Sequence, residues 1–265
     1  MQSVEREARP GPLPEDISGF AIFLDVDGTL VDLVDDPAAI VVEPWMAGAL
    51  RRISDKTGGA LALITGRSIA AVDRLFSISG LAVSGLHGAE RRGASGVLTG
   101  AAATPEFDSA KAAASRWATT GPGLIFEDKG PAFALHYRRV PHMEGAVRGY
   151  MAELGRSVGE RWVAQEGKHV VELRPSGLNK GDALKSFMEH APFAGRRPLA
   201  IGDDVTDEAM FAAANALHGV TVRVGANERP TLAAHEVASP ADVRAWLRRI
   251  AECQRLPSPA DSTWA

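Results

Sequence analysis

The chain is constrained most by Phe20–Asp36 (FAIFLDVDGTLVDLVDD), where a short apolar run ends abruptly in acid. Ala21-Ile22-Phe23-Leu24 has no polar face, the pattern of a strand buried on both sides. Asp25 and Asp27 follow at once. Burying an ionised carboxylate costs several kcal/mol unless it is paired or holds a metal. A strand ending this way belongs at the mouth of a sheet, where open α/β folds bind their ligands. A spacing of two puts both side chains on one side of an extended segment, and Gly28 lets the backbone turn away sharply. Read alone, DVDGT also suits a plain strand and turn, so the other stretches decide.

They repeat the pattern. A helix is expected from Pro44, with Trp45, Ala49, Leu50 and Ile53 along its apolar side. The strand Ala60–Ile64 runs into Thr65-Gly66-Arg67-Ser68, followed by a helix over Ile69–Phe76. A third strand, Leu81–Ser84, ends at Gly85-Leu86-His87-Gly88. Gly93, Gly96 and Gly100 mark loops and a small hairpin. Beyond residue 176 come a helix (Lys180–His190), a strand (Pro198–Ile201) ending at Gly202-Asp203-Asp204, and a helix (Asp207–Ala214). The strand Val220–Val224 and a helix (Pro240–Cys253) capped by Ser239 complete the series, with Trp246 read as core. Strand, glycine or polar residues, then helix is the βα unit of a doubly wound parallel sheet, so the fold class is α/β.

The texture changes between Thr104 and Pro175. A helix (Pro105–Ala118) precedes strand-like Leu124–Lys129 and Ala132–Arg138. A second helix (Pro141–Ser157) precedes Arg161–Gln165 and His169–Leu173. Hairpin-like pairs around helices predict a small antiparallel sheet with its own helical layer. The expected organisation is a core of residues 18–103 and 176–252, with an α+β cap of residues 104–175 inserted into it.

At 265 residues, 45% of them hydrophobic and 23% charged, the chain has enough apolar side chains for a sizeable core. A net charge of −4 argues against nucleic acid as a partner, yet leaves room for an anionic small molecule at a locally positive pocket. Cys253 is the only cysteine, which fits a reducing compartment. The first nineteen residues lack the apolar centre of a signal peptide, and no run spans a bilayer, so a cytoplasmic protein without a membrane partner is expected. The polar tail from Pro257 is expected to fray. A monomer or weak oligomer is the expected state.

In a doubly wound sheet the C-terminal strand ends share one edge. Asp25/Asp27, Thr65/Arg67 and Asp203/Asp204/Asp207 can therefore meet, with Lys180 at the start of the helix before the third strand. Converging carboxylates repel unless a cation offsets them. All-oxygen ligation favours Mg²⁺, and the seven scattered histidines do not form a zinc site. Carboxylates, one metal, a hydroxyl beside a glycine and a lysine match phosphoryl transfer. Metal and lysine stabilise charge, Thr65 donates its hydroxyl, and N–H groups at the following helix start cradle phosphate oxygens. One aspartate can attack phosphorus, and a second can shuttle a proton.

DVDGT, LITGR, a helix-opening lysine and GDDVTDE, in that order, resemble the four signatures of haloacid-dehalogenase-type phosphohydrolases. The resemblance implies that Asp25 is the nucleophile. Asp27 would be the general acid/base, with its backbone carbonyl on the metal. Thr65 would bind phosphate, Lys180 would neutralise it, and Asp203 would be a direct metal ligand. Asp204 and Asp207 could ligate directly or through water. SGLHGAE, FEDKGPAFALHYR, EGKHVVELRPSGLNKG and GDDVTDEAMF further resemble trehalose-6-phosphate phosphatases, over roughly Ser18 to Leu247. That likeness implies a sugar phosphate substrate, with Glu127, Lys129, His136, Arg138, Lys168 and Glu172 on the distal sugar. His87 is placed at the cap interface. Gly66 is assigned to the phosphate loop, and Arg67 either to phosphate, to cap closure or to an acidic neighbour. The alternatives are another capped sugar phosphatase, acting on sucrose phosphate or a glucosyl- or mannosyl-phosphoglycerate, and a catalytically inactive binding module of the same fold.

Overall fold

The computed structural model describes residues 9–10, 13–34, 40–96, 98–100, 104–167, 169–225 and 229–253. The tail from Pro257 lies outside them. Chain contacts divide the protein into two units, Met1–Leu98 with Asn179–Ala265, and Thr99–Leu178. Among the described residues, no helix is long and apolar enough to cross a membrane.

The first unit opens with strands β1 (Arg9–Pro10) and β2 (Phe20–Leu24), then helix α1 (Trp45–Lys56), β3 (Leu61–Ile64), α2 (Ile69–Phe76), β4 (Ala82–Gly85) and β5 (Glu90–Arg92). After β6 (Leu98–Gly100) comes the second unit: α3 (Pro105–Ala118), β7 (Ile125–Asp128), β8 (Phe133–His136), α4 (Glu144–Val158), β9 (Trp162–Gly167) and β10 (Val170–Pro175). The chain returns with α5 (Lys180–Met188), β11 (Arg197–Gly202), α6 (Glu208–Ala216), β12 (Val220–Val224), β13 (His235–Val237) and α7 (Pro240–Glu252). The short strands β1, at one edge, and β13, beside it, carry too few residues to show a pattern in sequence.

The large sheet runs in the order β1-β13-β12-β11-β2-β3-β4-β5-β6. From β1 to β4 its neighbours are parallel, and β5 is antiparallel to β4. Strand β2 lies between β11 and β3, with Leu24 opposite both Ile201 and Leu63. Its residues split by parity, as a strand's must. Ala21 and Phe23 face α5 and α6, where Phe23 stacks on Phe193 at 5.6 Å between ring centroids. Ile22 and Leu24 face α1, α2 and α7. Helices on both faces explain why β2 carries no polar side chain until it leaves the sheet. Trp246 is core, as its helical spacing implied, and its indole N–H donates to the Pro14 carbonyl at 2.7 Å. Ser239 does stand at the N-cap of α7, but its hydroxyl donates to Asp242 at 2.9 Å rather than accepting a helix N–H.

The second unit has an antiparallel sheet in the order β7-β8-β10-β9. Phe133, Leu135, Val171, Leu173 and Trp162 pack under α3 and α4, around a stack of Phe107 on Trp162 at 3.9 Å. The residues of opposite parity, among them Glu127, His136, Gln165 and Glu172, form the helix-free face.

Helices α5 and α6 approach at Gly181, where a Cβ would lie 2.3 Å from the Ala209 carbonyl oxygen. Glycine to alanine within a helix ordinarily stabilises by about 1 kcal/mol. Here the added methyl meets backbone that cannot swing aside. Gly181→Ala is therefore expected to destabilise the protein by about 1–3 kcal/mol in denaturant unfolding; a stabilised variant would show that this crossing has slack.

Candidate active site

The C-terminal ends of β2 and β11 lie side by side, with the Asp25 N–H donating to the Ile201 carbonyl at 2.9 Å. Among the described residues, the acidic group compact enough to share an ion is Asp25, Asp203 and Asp207, whose oxygens lie within 4.8 Å of one another. Lys180 enters this group as the first residue of α5. The helix starts there because the Asn179 side chain accepts from the N–H groups of Gly181 and Asp182, at 2.8 and 3.1 Å. The Lys180 ammonium donates to Asp25 Oδ1 at 2.7 Å and to Asp207 Oδ1 at 2.8 Å, with all three side chains buried.

The electrostatics follow from that burial. Desolvation raises the Asp25 carboxyl well above its usual range, opposed by Lys180 and reinforced by Asp207. Burial and then Asp207 raise Asp203 to about 6. For Lys180 burial acts downward, but the two carboxylates outweigh it and the ammonium is held charged. Three acids against one base leave negative charge uncompensated among oxygen donors, a donor set that fits a hard divalent cation.

The two remaining aspartates of the expected metal set are placed differently. Spacing predicted that Asp25 and Asp27 would project together from an extended segment. The strand instead ends at Leu24, and Asp27 lies in the turn beyond it. The Asp27 carboxylate accepts a bidentate pair from Arg67, Nε and Nη2 both at 2.7 Å, so its side chain stands outside the acidic group. Of the roles left open for Arg67, pairing with an acidic neighbour is the one observed. Asp204 is exposed and also outside the group. Its carboxylate caps the short turn Val205–Asp207, accepting from the Val205 N–H at 2.7 Å, and lies 3.8 Å from Arg229. Asp207 is fully engaged: Oδ1 by Lys180, and Oδ2 by the N–H groups of Asp203 and Asp204, both at 3.1 Å.

Two glycines make this edge possible. Gly28, at φ +80°, leaves room for Asp203, whose Oδ2 would lie 2.1 Å from a Cβ there, and Gly202 leaves room for Asp207.

Thr65 is fully buried at the end of β3, and its hydroxyl accepts the Arg67 N–H at 3.1 Å. The loop is braced from β4, where Leu86 donates to the Arg67 carbonyl and His87 to that of Thr65. Gly66 lies against the His87 ring, and His87 itself is at φ +55°. One expectation needs correcting. The start of α2 does not offer a row of open N–H groups to phosphate, because Ile69 donates to the Glu90 carboxylate and Ala71 to Ser68 Oγ. Glu90, raised by burial, has no role foreseeable from its place in a loop string. Glu208, another residue without an expected role, accepts from Thr231 Oγ1 and the Leu232 N–H, both at 2.7 Å, and so ties α6 to the segment after β12.

On the second unit, Glu127, Lys129, His136 and Glu172 are brought together. Lys129 Nζ lies 2.5 Å from Glu172 and 3.9 Å from Glu127, and His136 Nε2 is 2.8 Å from Glu127. His136 is therefore a polar partner and not a packed core ring. Arg138 is exposed, two residues beyond the end of β8. Lys168 lies outside the described residues. Gln165 and Arg174 occupy the same face and were not anticipated. The even spacing that singled out Glu172 reaches Arg174 in one further step along β10.

A parallel sheet with helices on both faces, an aspartate-rich strand edge, a buried lysine and an antiparallel unit inserted after β6 define the haloacid-dehalogenase fold of capped phosphohydrolases. The family model described as trehalose-phosphatase matches residues 23–241. A probable trehalose-phosphate phosphatase of Sinorhizobium fredii is 46% identical over 213 residues, covering 80% of each chain. The trehalose-6-phosphate phosphatase of Escherichia coli is 38% identical over 89% of this chain and 88% of its own. A solved structure titled as a trehalose-6-phosphate phosphatase related protein superposes with a TM-score of 0.73 at 27% identity, over 87% of this chain and 96% of that one. The chain belongs to the trehalose-phosphatase family, a family of phosphomonoester hydrolases.

The raised Asp203 carboxyl has a consequence for ion-free protein. An acid that binds its proton more tightly when folded contributes stability at low pH, and that contribution is lost as pH rises from the unfolded value, near 3.8, through about 6. The gap in unfolding free energy between wild type and Asp203→Asn should therefore shift by on the order of 1–2 kcal/mol in favour of the variant between pH 4.5 and 7, after allowing for partial exposure. Chelated samples unfolded in urea at both pH values give the comparison; an unchanged gap would remove the upward shift assigned to the Asp203 carboxyl.

Proposed function

We propose that the protein is a Mg²⁺-dependent phosphatase that hydrolyses trehalose 6-phosphate to trehalose and inorganic phosphate. The observation that carries the reading is the meeting of half-buried Asp203 with buried Asp25, Asp207 and Lys180 at one sheet edge. Membership of the trehalose-phosphatase family supports the choice of substrate.

Asp25, Asp203 and the Asp27 backbone carbonyl would hold Mg²⁺, which would supply positive charge to the phosphoryl group. Asp207, with both oxygens engaged by protein donors, fixes Lys180 and the Asp203 backbone rather than ligating. Lys180 and the Thr65 hydroxyl stabilise the negative charge of the transferring group. An Asp25 carboxylate oxygen attacks phosphorus, the bond from phosphorus to the sugar O6 breaks, and Asp27 gives a proton to the departing alkoxide. Asp27, now ionised, takes a proton from water, and the resulting hydroxide releases phosphate from the aspartyl phosphate. Arg67 sets the direction of the Asp27 carboxylate in its ionised form, the form that takes the proton from water.

The second unit is the inserted cap, and its helix-free sheet face supplies sugar recognition through Glu127, Lys129, His136 and Glu172. Carboxylates and amines pair with hydroxyl groups, and a ligand that leaves them unpaired is rejected. Arg138, Lys168 and His87 complete the proposed substrate set on sequence grounds. A cytoplasmic setting and the absence of nucleic-acid or membrane partners belong to the same proposal, as does a monomeric or weakly oligomeric state.

The test is phosphate release from a panel of sugar phosphates and a small aryl phosphate, with and without chelation. Mg²⁺ should restore chelated enzyme, and trehalose 6-phosphate should be preferred over sucrose phosphate and the phosphoglycerates. Asp25→Asn should lower turnover of every substrate at least about 10³-fold while thermal melting stays cooperative. Glu172→Ala should reduce kcat/KM for trehalose 6-phosphate about 10–100-fold and leave the aryl phosphate nearly unaffected. Equal losses on both substrates would remove the sugar-recognition role, and full activity of Asp25→Asn would remove the mechanism.

A further inference from the structure

The register of the small sheet places Gln165 of β9 directly opposite Glu172 of β10, Glu172 opposite Ala134 of β8, and Ala134 opposite Glu127 of β7. Residues directly opposite in neighbouring strands share a face. Gln165 therefore continues the row that contains the charged residues assigned to sugar recognition. Its carboxamide is oriented by the protein: Arg174 Nε donates to Gln165 Oε1. An arginine N–H can only donate, which fixes which end of the amide is oxygen and turns the NH₂ group away from Arg174. Arg174 is itself held, donating through Nη1 to the Leu178 carbonyl at 3.0 Å.

Among the described residues the two hydrogens of the Gln165 amide have no protein acceptor within bonding distance. Beside it, Glu172 Oε1 is buried and has no hydrogen-bond donor, while Lys129 takes the other oxygen. A buried carboxylate oxygen without a donor is costly to leave unmatched. The row thus presents an unused acceptor next to unused donors. Neighbouring hydroxyl groups on a sugar ring, each able to donate and accept, complement that arrangement.

We propose that Gln165, its carboxamide set by Arg174, is a specificity-determining residue that reads a hydroxyl of the phosphate-remote sugar ring alongside Glu172. This rests on the proposed reaction with a disaccharide 6-phosphate. Arg174 is a positioning residue that acts through Gln165.

The experiment compares wild type, Gln165→Glu and Gln165→Leu on trehalose 6-phosphate, glucose 6-phosphate and an aryl phosphate. Gln165→Glu keeps an acceptor for Arg174 and removes the NH₂ donors but adds a negative charge opposite Glu172, whereas Gln165→Leu removes the donors without adding charge, so a loss shared by both variants isolates the hydroxyl contact. Both variants should lose about 10–100-fold in kcat/KM on trehalose 6-phosphate, chiefly through KM, with glucose 6-phosphate and the aryl phosphate within about twofold of wild type. Retention of wild-type kcat/KM on the disaccharide by Gln165→Glu would overturn the assignment. So would an equal loss on all three substrates, which would mark Gln165 as a support of the fold. Failure of wild type itself on trehalose 6-phosphate, with the aryl phosphate turned over, would instead overturn the proposed substrate.

Discussion

The first unit depends on one buried ammonium. Lys180 stands between Asp25 and Asp207, with distances of 2.7 and 2.8 Å, where neither carboxylate has much water to solvate it. Removing one partner from such a group leaves an uncompensated buried charge, which costs far more than a surface ion pair contributes. The ion pairs therefore lock three separate pieces of chain together: the end of β2, the start of α5 and the turn before α6. The same lock gathers the groups proposed for phosphoryl transfer. Three carboxylates gathered round one ammonium form an oxygen donor set that fits a hard divalent cation.

Much of this was legible in the sequence, and the reason is local. An apolar run ending in acid can sit in only one place on a sheet, so the sequence alone brings Asp25, Thr65 and Asp203 to a common edge. Helix boundaries written in strong punctuation were legible as well: Pro105–Ala118 and Ile69–Phe76 match the observed helices end to end. What failed was the direction of side chains once the chain leaves regular structure. Asp27 was read as an extended neighbour of Asp25, but a turn directs it to Arg67, an interaction forty residues distant in sequence. Asp204 and Asp207 could not be ranked because the deciding interactions, a short capped turn and two backbone N–H donors, are conformational.

The second unit shows the opposite balance. Its charged residues were found by likeness and by strand parity, but parity says only which face a residue occupies. Which partners meet depends on register across four strands, and register placed Lys129 against Glu172 although Lys129 lies just beyond its own strand. Gln165 went unnoticed because an uncharged amide in a strand-like run gives no signal until its neighbour across the sheet is known.

The close crossing of α5 and α6 at Gly181 has a wider meaning for how this core can vary. At Gly181 the two helices meet main chain against main chain, with no room for a side chain. Leu184, Phe187, Met210 and Phe211 pack in the same core, where apolar exchanges of similar total volume are the best tolerated. One residue along the chain from Lys180, that tolerance ends at a single missing methyl group.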